Sequence, residues 1–114
     1  MHSSLDPMWG AVLDGIKFDV VAQSLVITFQ VTDHSRVSHH RLDFEELSEL
    51  RFSNAIPGPW NYAELTEFHV DRAASGTIQV EIVLWSEDAR LVASARSVEL
   101  DGEPVTWQTN NKMG

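Results

Sequence analysis

The sequence predicts an all-β fold: an antiparallel β-sandwich, or one strongly curled sheet, of about six or seven short strands. Three observations carry this. Apolar residues recur at every second position in the clearest segments, turn residues separate those segments, and no long segment keeps a 3.6-residue period. At most one short helical turn is expected.

In "GIKFDV", Ile16, Phe18 and Val20 alternate with Lys17 and Asp19. In "LVITFQV", Leu25, Ile27, Phe29 and Val31 share one face and Val26, Thr28 and Gln30 the other. The short link "AQS" fits a tight hairpin between them. "RVSHHRLDF" places His40, Leu42 and Phe44 on one side and His39, Arg41 and Asp43 on the other. Then the period changes: in "FEELSEL", Phe44, Leu47 and Leu50 stand three apart. One helical turn would align them, and so would a bulge in a strand that continues through Phe52; the bulged strand is the reading preferred.

"AELTEFHVDR" is a strand with Phe68 and Val70 inward and His69 and Asp71 outward. "RAASG" is a turn, with Gly76 free to take positive φ. In "TIQVEIVLW", Ile78, Val80, Ile82 and Leu84 alternate with Thr77, Gln79, Glu81 and Val83. "SEDAR" turns the chain into "LVASARSVEL", which "DGEP" ends. Phe18, Ile27, Phe29, Ile82 and Leu84 are the expected core. A flat sheet would leave one apolar face wet, so layering or curling is required.

With 114 residues and a 43% hydrophobic fraction, the chain makes one domain with a real core. The ordered part is expected over about residues 9–107, with a polar tail, "QTNNKMG", at 108–114. The absence of cysteine removes disulfides, thiol catalysis and thiolate metal sites. Seventeen acids against eight bases give a net charge of −9. That charge argues against nucleic acid and anionic membrane as partners and in favour of a basic protein, although solubility alone also accounts for it. No apolar run approaches the ~20 residues of a membrane helix. The start, "MHSSLDPMWG", lacks the features of a signal peptide. A soluble, cytoplasmic protein is expected.

The loop "NAIPGPWNY" holds Pro57-Gly58, which suits a type II turn; the bonds preceding Pro57 and Pro59 are open to either isomer, with trans the default. Trp60 and Tyr62 either cap the end of the sandwich or stand out as anchors for a partner. Trp85 is expected beside Val83 on the outer face of its strand, and Trp107 is equally ambiguous.

Catalytic chemistry finds little support. His39 and His40 point to opposite faces of a strand, so together they do not ligate one ion without distortion. A metal site would need His34, His39, His69 and Asp71 to converge; no H-E-x-x-H occurs. There is no G-x-S-x-G elbow, no glycine-rich phosphate loop and no marked carboxylate pair. No catalytic residue, metal or cofactor is therefore expected, and the protein is read as not an enzyme.

The layout of "DGIKFDVVAQSLVITFQV", "RLDFEELSELRF" and "PGPWNYAEL", over Leu13 to Leu100, resembles small bacterial YxiG-like and immunity-type β-rich domains. That resemblance implies an accessory protein that neutralises a toxin, and it brings no catalytic residues. The expected function is a non-enzymatic protein-binding domain, an inhibitor or immunity factor. It would engage a basic partner through Asp43, Glu45, Glu46 and Glu49, with Trp60 and Tyr62 as anchors. The acids read equally well as solvated surface. The alternative is a small-molecule pocket lined by Trp60, Tyr62 and Trp85. Exposed edge strands leave room for a homodimer.

Overall fold

The computed structural model describes residues 11–55, 58, 59, 62–85 and 89–105. In chain order they form β1 (Val12–Asp19), β2 (Ser24–Asp33), β3 (Arg36–Asn54), β4 (Leu65–Arg72), β5 (Ile78–Leu84), β6 (Ala89–Leu100) and β7 (Glu103–Pro104). All belong to one antiparallel sheet ordered β1-β2-β3-β6-β5-β4, with β7 paired to β6. The sheet is all-β, curled, and not closed into a barrel. Trp9, Pro57, Trp60, Trp107 and the expected C-terminal tail lie outside the described residues.

The predicted alternation is visible in the burial. Leu25, Ile27 and Phe29 of β2, Leu42 and Phe44 of β3, and Val80, Ile82 and Leu84 of β5 are all buried. Phe68 and Val70 pack against this core, while His69 and Asp71 are exposed. The β1–β2 turn is held by Asp19, whose Oδ1 accepts the backbone N–H groups of Val21 and Ala22, each at 3.0 Å. Gln23 closes that turn with φ 55°. β6 and β7 are joined at Asp101-Gly102, where φ is 53° and 88°. Two consecutive positive φ values match the twist of a tight hairpin, and Asp-Gly is a dipeptide that adopts them readily.

Strand β3 decides the architecture, and it is not short. Its 19 residues would span roughly 60 Å if straight, yet the longest dimension of the molecule is 37 Å. The strand therefore bends. Its first part pairs with β2, from Arg36 to Phe44, and its second with β6, from Leu42 to Asn54. Between them Glu46 takes φ 54°, and the register with β6 slips by one between Leu47 and Glu49. These two irregularities put Phe44, Leu47 and Leu50 on one face although they stand three apart. The bulged strand is thus the correct reading of "FEELSEL", with no helical turn. The backbone N–H of Leu47 is satisfied by the carbonyl of Gln23 at 2.8 Å.

The bend folds the sheet onto itself. Leu13 N–H donates to the Ala63 carbonyl and Leu65 N–H to the Ala11 carbonyl, at 2.8 and 2.9 Å, and Val12 bridges Glu64. Among the described residues, the sheet's two edge strands, β1 and β4, are thereby brought together at this one point.

Two expectations are corrected. Phe18 is not core; it is 50% exposed, although its cross-strand partner Leu25 is fully buried. Edge strand β1 carries Phe18 past the Val12–Glu64 bridge, beyond the point where the sheet's two ends cover each other. Trp85 is not on the outer face with Val83. It ends β5 at φ 54°, which breaks the alternation and turns the indole against the core. Val83 itself is buried.

Candidate functional site: an apolar groove at the open end

A groove of about 370 Å³ opens on the concave side of the sheet. Leu13 and Ile16 of β1 form one wall; Leu50 and Phe52 of β3, with Leu91 of β6, form another. Ile82 and Leu84 of β5 and Ala63 complete it. Among the described residues no polar side chain lines it.

Its origin is the incomplete closure of the sheet. β1 slips register between Leu13 and Gly15, and Thr28 Oγ1 donates to the Gly15 carbonyl at 3.3 Å. A Cβ at Gly15 would stand 3.4 Å from that hydroxyl, at the limit of ordinary contact. Beyond the bulge, Ile16 and Phe18 keep facing inward opposite Ile27 and Leu25, yet nothing among the described residues covers them fully. Phe52, at the far end of β3, is 58% exposed. Three large apolar side chains thus mark the open end of a core whose deeper members are dry.

The expected partner-binding residues are spread around this site. Tyr62 is exposed and meets Trp85 edge to face, with ring centroids 5.1 Å apart. Trp60 lies outside the described residues. The Gly58–Pro59 bond is cis, where trans was the default. Asp43, Glu45 and Glu49 alternate with buried or half-buried neighbours and so face outward, away from the groove. Asp43 accepts from Arg41 at 2.9 Å, and Glu49 from Arg51 at 2.8 Å. Glu45 and Glu46 are exposed. The acidic run and the apolar groove therefore occupy opposite faces of β3. The β5 part of the groove lining was legible in that strand's alternation; the opening was not, because it depends on where β1 leaves the core.

The described histidines form no common cluster. His34 sits in the β2–β3 turn beside Asp33, at 3.5 Å, and His69 on β4 contacts Glu67 at 2.7 Å. Among the described residues no group of three or more His, Asp or Glu side chains is placed to hold a metal ion. His40 has different company. Its Nε2 lies 3.0 Å from Ser38 Oγ and its Nδ1 2.8 Å from Asp101 Oδ2. The alternation of β3 puts Ser38 and His40 on one face, but nothing in the sequence signals Asp101, which is 61 positions away.

These features define an open, curled antiparallel sheet with an apolar groove at its unclosed end. A solved structure shares the architecture: an uncharacterized protein from Neisseria gonorrhoeae matches with a TM-score of 0.52 and 12% identity, over 82% of this chain and 91% of that one. At that identity the likeness speaks for the fold alone. No protein family matches the chain, and no curated protein matches it significantly. Among the described residues no helix is long and apolar enough to cross a membrane.

Proposed function

We propose that this chain is a protein-binding domain that takes an apolar segment of a basic partner into the groove, in the manner of an inhibitor or immunity factor. The observation that carries this reading is the groove, apolar in all its described lining residues and flanked by the exposed Ile16, Phe18 and Phe52. Exposed apolar surface of this kind marks interaction sites. The described lining residues offer no polar side chain to orient a polar metabolite by hydrogen bonds, whereas a bulky apolar side chain needs only shape and dryness. The net charge of −9 supplies the preference for a partner rich in Lys and Arg and speeds its approach.

A phage-displayed random peptide library is the test. Selected peptides should combine a large apolar residue with flanking basic ones. Their affinity should fall with salt and should be lost on Phe52→Asp, a change at an already exposed position. Selection of no peptide, or of peptides indifferent to Phe52→Asp, contradicts the reading.

The groove volume favours a second reading, a small apolar ligand, since it lies within the range of small-molecule sites. Stoichiometric binding of a medium-chain alcohol such as decanol, with no peptide selected, would point that way.

A further inference from the structure

At the opposite end of β3 from Phe52, Ser38, His40 and Asp101 form a linear relay. Ser38 Oγ and His40 Nε2 are 3.0 Å apart, and His40 Nδ1 and Asp101 Oδ2 are 2.8 Å apart. The direction of these bonds follows from the groups. An ionised carboxylate only accepts, so Nδ1 carries the hydrogen. In the neutral imidazole Nε2 is then the acceptor, and the Ser38 hydroxyl donates to it. The hydroxyl's other acceptor, the Val31 carbonyl, is farther, at 3.4 Å.

Asp101 is itself held. Its Oδ1 accepts the Arg41 N–H at 2.9 Å, and its own N–H donates to the Arg41 carbonyl at 2.8 Å. The carboxylate therefore cannot swing away without breaking the contact between the β6–β7 turn and β3. The His40 side chain is 26% exposed, sheltered enough to be fixed, and Ser38 is exposed to an incoming reagent. A nucleophile bonded to a base that a third group orients is the arrangement that activates a serine, whatever the order of the residues in the chain.

We propose that Ser38 is an activated nucleophile that accepts acyl groups from activated carboxylic esters, with His40 as its base and Asp101 as a positioning residue. Ser38 Oγ attacks the ester carbonyl carbon while its proton passes to His40 Nε2. The carbon–oxygen bond to the alcohol breaks, and the departing oxygen takes that proton from His40. Water, deprotonated by the same Nε2, then releases the acid and restores the hydroxyl. Approach is open on the solvent side, so the class is a small ester or one displayed on a larger molecule.

The experiment uses the full chain with p-nitrophenyl acetate, following release of p-nitrophenolate and locating the acetyl group by peptide mass spectrometry. The expected result is acetylation at Ser38, abolished by Ser38→Ala and slowed about 100-fold by His40→Gln, the scale of general-base assistance. The rate should level off with rising pH instead of climbing with hydroxide concentration, and Asp101→Asn should alter that profile while thermal unfolding shows the fold retained. A purely structural clasp would leave Ser38 unmodified. Acetyl on Lys17 or elsewhere but not on Ser38, or a rate that rises tenfold per pH unit throughout as hydroxide attack would, overturns the proposal. The wild-type result alone decides it should His40→Gln not fold. Nothing here depends on the groove, so the two readings fail separately.

Discussion

Phe29 and Phe68 meet edge to face, with ring centroids 5.8 Å apart and planes at 80°, although three strands separate β2 from β4 in the sheet. The contact exists only because β3 bends. It places the middle of the core between the two arms of one sheet, and it ties the arms together where hydrogen bonds do not.

Removing that tie should be costly. Phe29→Ala is expected to destabilise the domain by about 3–5 kcal/mol, since the ring is fully buried. A double-mutant cycle with Phe68→Ala should show a coupling of about 0.5–1.5 kcal/mol, the worth of an aromatic pair beyond its burial. Urea unfolding of the four proteins gives both figures. Strict additivity would mean that the rings do not meet.

Ile27 and Phe18 stand on the same side of the β1–β2 hairpin but differ in cover. Ile27→Ala should cost about 2–5 kcal/mol. Phe18→Ala should cost clearly less, because half of the ring is already in water. Equal shifts of the unfolding midpoint would show that the open end of the groove is closed in solution.

The bulge in β3 makes a prediction of opposite sign. Glu46 is a non-glycine residue at φ 54°, a conformation that costs an L-residue about 1 kcal/mol or more. Glu46→Gly should therefore be neutral or stabilising by up to about 1 kcal/mol, whereas Glu46→Val should destabilise. A glycine variant less stable than the parent in chemical denaturation would argue for a straight strand.

The parts of this molecule that the sequence made legible are local. Alternation at Leu25–Phe29 and Val80–Leu84 predicted both strands and their buried faces, and the spacing of Phe44, Leu47 and Leu50 predicted the bulge. What stayed hidden is non-local. No sequence pattern says that β3 pairs with β6, or that the Asp101 carboxylate arrives beside Arg41. Phe18 misled because alternation reports which side a residue faces and not whether anything covers that side. Trp85 misled because one positive φ reversed its face. The expected acidic site was drawn from closeness in sequence, and alternation then aimed Asp43, Glu45 and Glu49 away from the groove.

The proposed route for a partner is the groove and not the acidic face. Methyl chemical-shift mapping, with a library-selected peptide titrated into the isotope-labelled chain, tests this most directly. The largest shifts should fall on the methyls of Leu13, Ile16, Leu50, Ile82 and Leu84, with little change at the amides of Asp43 and Glu45. Shifts concentrated at Asp43, Glu45 and Glu49, with the groove methyls unmoved, would contradict it.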